Sequence, residues 1–84
     1  MSIDAVIKAD KKVAGLNQVT KAINKNKVYA VYVAKDVGLQ LVQPLLSLCE
    51  LKGVQVIRAG NRTALGKACG VKNGTAVVAI LQDN

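Results

Sequence analysis

The residues best placed to do chemistry lie in one short stretch, Gly15-Leu16-Asn17-Gln18-Val19-Thr20-Lys21-Ala22. A glycine leads into a segment with helical spacing. Lys21 stands four residues after Asn17 and three after Gln18, so all three side chains can share one helical surface. Amides donate to and accept from base edges, and an ammonium reaches guanine acceptors or phosphate. The start of such a helix adds unpaired N–H groups and the positive end of its dipole, a combination that suits anions. An ordinary capped helix with solvated polar residues is the alternative that this spacing alone leaves open.

Other chemistries find little support. The chain has no His, Phe or Trp, so no side chain is an easy proton carrier near neutral pH. Its five acidic residues are scattered without a close pair. Ser2 and Ser47 have no neighbouring base, and no GxxxxGK[ST] or GxGxxG phosphate loop occurs. Cys49 and Cys69 sit in apolar neighbourhoods without a CxxC pattern. A metal site is therefore not expected, and two free, buried thiols suit them better than a disulfide. We expect no enzyme, no cofactor and no metal.

The elements that must position the amides and lysine follow from periodicity. Ile3, Val6 and Ile7 share a face of a short helix over residues 3–10. Residues 12–15 form a short extended piece. Val19, Ala22 and Ile23 mark a second helix over residues 17–26, with Asn26 suited to a left-handed cap. Val28 to Ala34 reads as a buried strand that packs Tyr29 and Tyr32 on opposite faces. Asp36 is placed to cap a third helix over residues 39–52. Leu41, Val42, Leu45, Leu46, Leu48 and Cys49 give that helix a broad apolar face. Pro44 fits it only if the regular helix begins shortly before. Residues 54–59 form a strand, Gly60-Asn61 a turn, and residues 62–69 a fourth helix ended by Gly70. Residues 71–74 are a loop with the turn signal Asn73-Gly74, and residues 75–81 a strand buried on both faces.

This alternation of helices and strands implies helices on both faces of a sheet, a three-layer α/β/α sandwich. At 84 residues the chain holds one domain, residues 1–84. Such a domain buries only roughly 60–65% of its unfolded surface, behind a single aliphatic core. Lys and Arg number 12 against 5 Asp and Glu, a formal net charge of +7. A field of that sign favours polyanionic partners. The lysines are not gathered on one amphipathic helix, so membrane binding is not expected. No signal peptide is visible, and no apolar run approaches the length that crosses a bilayer. A cytoplasmic monomer is the expectation.

The Gly15–Lys21 block resembles the motif Gly-x-Asn-Glu-x-x-Lys of the kink-turn-binding ribosomal-protein family (L-seven-Ae and L-thirty-e type). Three more blocks agree in order and spacing: Val31 to Asp36, Leu65 to Val71, and Ala76 to Ile80. Together they span nearly the whole chain and lie closest to the family's small bacterial YbxF- and YlxQ-like members. The resemblance implies a four-stranded mixed sheet between helical layers and non-catalytic binding of RNA, not DNA. The implied target is a kink-turn with tandem sheared G·A pairs, in ribosomal RNA or a regulatory mRNA element. Its sharp bend opens a major groove that regular A-form RNA keeps closed.

Carried over by residue, Gly15 allows close backbone approach to RNA, Leu16 beside it belongs to the contact, Asn17 contacts guanine or the adjacent backbone, and Lys21 reaches a guanine acceptor or phosphate. Gln18 stands where Glu is usual, keeping acceptor capacity without the charge. The C-terminal loop covers the flipped bulge nucleotides, with Val71 keeping the hydrophobic contact and Lys72 and Asn73 suited to phosphate rather than to packing on bases. It is less apolar than the archaeal-type pattern. Lys35 and Arg62 are backbone contacts or solvated surface charges. A protein–protein module of the same fold with an acidic partner is the second class considered.

Overall fold

A computed structural model of the chain describes residues 3–82. The elements are α1 (Asp4–Lys8), β1 (Lys12–Ala14), α2 (Leu16–Asn24), β2 (Val28–Val33), α3 (Leu39–Lys52), β3 (Gln55–Arg58), α4 (Arg62–Cys69) and β4 (Val77–Leu81). The expected alternation is present. The four strands form one mixed sheet in the order β1-β4-β2-β3. β4 runs antiparallel to both β1 and β2, while β2 and β3 are parallel.

Helices α2 and α3 pack on each other and on one face of the sheet, and α1 and α4 pack together on the other. Helices on both faces explain why β4 alternates no polar residues: Val77, Val78 and Ala79 are all buried. The core is aliphatic, built on Val6, Val19, Ile23, Val31, Val33, Val42 and Leu65, all fully buried. Burying one such side chain contributes roughly 1.5–3 kcal/mol.

Helix ends follow the sequence closely. Asn26 takes a left-handed φ of 59° just past α2. Its N–H donates to the Ile23 carbonyl at 2.9 Å and that of Lys27 to Ala22 at 3.2 Å. This pair of bonds is a Schellman motif, which satisfies carbonyls the helix leaves open.

Several expectations are corrected. Helix α1 is only five residues long, and Ile7 is 55% exposed rather than inward. In α3, Leu41 is 58% exposed, so the apolar positions exceed the face the helix buries. That helix starts at Leu39, which puts Pro44 inside it. The missing N–H leaves the Gln40 carbonyl without its helical donor, but Gln40 and Pro44 are both exposed to water. Asp36 does not cap α3, whose N-cap is Gly38; it caps α4 instead. Tyr32 is buried as expected, but Tyr29 is 61% exposed. It sits where the β2–β4 register shifts between Val28 and Ala30, an irregularity that turns the extra residue out of the ladder.

Candidate nucleic-acid interface

The geometry of the motif starts at Gly15. Its φ of 96° and ψ of 148° lie where a side chain is strained, so the sharp entry from β1 into α2 selects glycine. A Cβ there would meet nothing within 4 Å, so space lies open in front of this half-buried corner. The Gly15 N–H donates to the Val77 carbonyl at 3.0 Å, tying the corner to the start of β4. Its carbonyl accepts from Val19 at 2.9 Å as the first helical bond. No side chain caps α2, and its first turn carries no acid. The first-turn N–H groups therefore have no acceptor within the helix and leave a positive end facing outward.

Val19 and Ile23 anchor the helix inward at zero exposure, and this sets Asn17, Gln18 and Lys21 on the exposed side. The Thr20 hydroxyl turns back to the Leu16 carbonyl at 2.7 Å. Leu16 itself is partly buried and packs against the core, so its contribution to a ligand is backbone rather than side chain.

The remaining candidates converge on the same end of the sheet through a relay of backbone bonds. Ala34 donates to Ala76 at 2.9 Å, and Lys35 to Gly60 at 3.0 Å. The Arg62 N–H donates to Asp36 at 2.9 Å, and Thr75 to the Arg62 carbonyl at 3.1 Å. Lys35, Arg62 and the loop 71–75 are thereby fixed beside the β4 start that also holds Gly15. Arg58, not singled out from sequence, joins them: its guanidinium donates to the Lys35 carbonyl at 3.3 Å.

The loop is held by glycine. A Cβ on Gly66 would lie 2.4 Å from Gly74 Cα, and one on Gly74 would lie 2.8 Å from the Arg62 carbonyl oxygen. Both lie below any real Cβ contact, so α4 and the loop touch backbone to backbone. Val71 is half-buried, with its N–H on the Gly66 carbonyl at 2.7 Å. Lys72 and Asn73 are exposed at the tip. The Asn73-Gly74 turn signal was legible in sequence; its contact with Gly66 was not.

Helices α2, α3 and α4 all begin at this end, with different starts. Asn61 Oδ1 accepts from Ala64 N–H at 2.7 Å and Asp36 Oδ1 from Arg62 N–H, so α4 is closed by two side chains. Neither α2 nor α3 has a side-chain cap. Exposed Leu39 and Leu41 flank the open end of α3; amides and a lysine flank that of α2. Only the second combination suits an anionic, hydrogen-bonding ligand.

Among the described residues no His, Cys, Asp or Glu group could hold a metal, and no helix is long and apolar enough to cross a membrane. Cys49 and Cys69 are free thiols, the first buried and the second half-buried. Burial raises both above the usual thiol range; nearby Lys12 partly opposes this at Cys69.

The family model for the Ribosomal protein L7Ae/L30e/S12e/Gadd45 family matches residues 2–84. An RNA-binding protein of Bacillus pumilus is 37% identical over 81 residues, 96% of this chain and 99% of its own length. RNA-binding protein YbxF of Geobacillus stearothermophilus is 33% identical over 82 residues, 98% of this chain and all of its own. The solved Giardia lamblia 15.5kD RNA binding protein superposes with a TM-score of 0.82 at 30% identity, covering 98% of this chain and 69% of that one. The chain belongs to the ribosomal protein L7Ae/L30e/S12e/Gadd45 family.

Proposed function

We propose that the chain is a non-catalytic RNA-binding protein that recognises kink-turns through the start of α2. The observation that carries this is the contrast between α4, closed by Asn61 and Asp36, and α2, open and flanked by Asn17, Gln18 and Lys21. A kink presents guanine edges in a widened groove. Asn17 and Gln18 can meet those edges with amide donors and acceptors, while Lys21 takes a guanine acceptor or a phosphate. Gly15 and Leu16 let backbone approach, Val71 supplies an apolar contact to bulged nucleotides, and Lys72 and Asn73 reach the adjacent backbone. Lys35 and Arg62 hold phosphates and set register without reading sequence. The protein acts as a cytoplasmic monomer without cofactor, on ribosomal RNA or a regulatory RNA element. Names borne by relatives sharing about a third of its residues support RNA as the ligand.

The test is a titration against a kink-turn duplex and a matched duplex whose G·A pairs are converted to Watson–Crick pairs, at near-physiological salt. Tight binding to the first and weak, salt-sensitive binding to the second is the expected result. Equal weak binding to both would reduce the charge to a general polyanion footprint and overturn the proposal.

A further inference from the structure

Helix α3 carries a second apolar pattern that the core does not use. Val42, Leu45 and Cys49 are its buried residues. Gln43, Leu46, Ser47 and Glu50 line a groove on its β3 flank. Leu41, Pro44, Leu48 and Leu51 fall on the other flank, at steps of three, four and three residues. That is the spacing of a coiled-coil seam, in which two positions recur after seven residues. Leu41 is 58% and Leu51 81% exposed, Pro44 is exposed and Leu48 is half-buried. Apolar side chains left contiguous on a surface mark a contact made with something else.

The seam is neutral in a basic chain. Residues 36–51 contain no Lys or Arg, although the net charge is +7. Their two acids are Asp36, held by Arg62, and Glu50, on the β3 flank. Lys52, at the end of the seam, donates to Asn26 Oδ1 at 3.3 Å. Neither phosphate nor an acidic protein finds a cation along the seam. Two copies of the chain repel through their net charge, but here they meet without opposing like charges. The pattern is also its own complement. Laid antiparallel about a two-fold axis level with Leu46, two copies of α3 set Leu41 against Leu51 of the second copy and Pro44 against its Leu48, and the reverse. An isologous contact requires that reciprocity.

We propose that the seam is a contact between two copies of the chain on one RNA, which makes binding to neighbouring kink-turns cooperative. The proposal rests on the RNA-binding role given above and adds a partner to it. The 14 residues of α3 make a helix about 21 Å long. A pair of such helices buries well below the roughly 800 Å² per partner of a standard interface, so the free chain stays monomeric. Two sites on one RNA raise the local concentration of the second copy to about 1 mM. A contact whose dissociation constant is on the order of 0.1 mM then tightens the second binding step about tenfold. Helices α2 and α3 start at the same end of the sheet, so antiparallel pairing turns the two α2 starts to opposite poles. RNA joining the two sites has to be long enough to pass around the pair.

The test measures stepwise binding to an RNA with two G·A kink-turns joined by a long flexible linker, and to the same RNA with one site converted to Watson–Crick pairs. After the statistical correction, the wild type should fill the second site about tenfold more tightly than the first. Leu51→Glu, at an exposed position, should remove this cooperativity and leave affinity for the one-site RNA close to wild type. Leu41→Lys/Leu51→Glu should restore it, because each new cation then faces a new anion on the other copy. The two positions are ten residues apart and do not meet within one helix. Equal affinities at the two sites in the wild type, or cooperativity that survives Leu51→Glu, would overturn the copy–copy contact and leave the seam to the helix of another protein. Failure of the double variant to restore cooperativity would overturn the antiparallel pairing. Wild-type binding to the one-site RNA that ignores its G·A pairs would instead overturn the kink-turn role itself, so the failures are separable.

Discussion

Asp36 Oδ1 accepts the backbone N–H of Arg62 at 2.9 Å, across 26 residues of chain. Its second oxygen stands 3.6 Å from the Arg62 Nε. One carboxylate thus closes the first turn of α4 and orients the arginine at the candidate interface. The ion pair is exposed on both sides and adds little stability; the cap matters more. Asp36→Ala should destabilise the fold by about 1 kcal/mol, and Asp36→Asn, which keeps the acceptor, by clearly less. Urea denaturation of the three proteins checks this. Equal midpoints would show that the bond contributes nothing.

A second prediction concerns the backbone contact between α4 and the loop. Gly66→Ala puts a methyl 2.4 Å from Gly74 Cα, and no flexible side chain is there to give way. The loop must shift, at a cost of about 1–3 kcal/mol. Because Val71, Lys72 and Asn73 move with it, affinity for the kink-turn RNA should fall even where the variant stays folded. Gly38→Ala, at a position with φ of −64° and open space, is the control: Ala is the poorer N-cap for α3, so the midpoint should fall less than for Gly66→Ala and the RNA affinity should hold.

Much of the arrangement was legible in the chain. Val19, Ala22 and Ile23 fix which side of α2 faces inward, and that alone exposes Asn17, Gln18 and Lys21 together. Asn26 as the left-handed end of α2 is a local property of one residue type. What periodicity could not give was anything set by distant pairing. Asp36 carries the same capping chemistry for α3 or α4, and only the strand order, which brings the β2 end beside Arg62, decides between them. Tyr29 looks like any strand aromatic until the register shift beside Val28 is known. The Gly66–Gly74 contact joins a helix interior to a loop, and neither residue alone announces it.

The buried thiol of Cys49 gives a pH prediction. Desolvation raises its pKa above the ordinary 9.0. The folded state therefore holds the proton more tightly than the unfolded chain. Stability that depends on this is complete below the unfolded value and is lost as pH rises through the folded one. Cys49→Ala removes the titration while creating a small cavity. Relative to the wild type, the variant should be less stable at pH 7.5, and that deficit should shrink at pH 10. A deficit that stays constant in urea titrations at the two pH values would mean that the thiol does not couple to folding.

Gln18 offers the sharpest test of the interface proposed at α2. The side chain is exposed in the first turn, where a carboxylate favours the positive helix end by about 0.3–1 kcal/mol. A carboxylate also accepts from guanine amino groups more strongly than an amide oxygen does, but it is repelled by phosphate. Gln18→Glu should therefore raise fold stability slightly and widen the affinity ratio between the G·A RNA and its Watson–Crick counterpart. Asn17→Ala and Lys21→Ala should each weaken binding to the G·A RNA at least tenfold, about 1.4 kcal/mol, with no comparable change in urea midpoint. The ratio measured for Gln18→Glu decides between two roles for this position. A wider ratio means contact with base edges. A uniform loss on both RNAs means that the residue faces phosphate, and that selectivity comes from Asn17 and Lys21 alone.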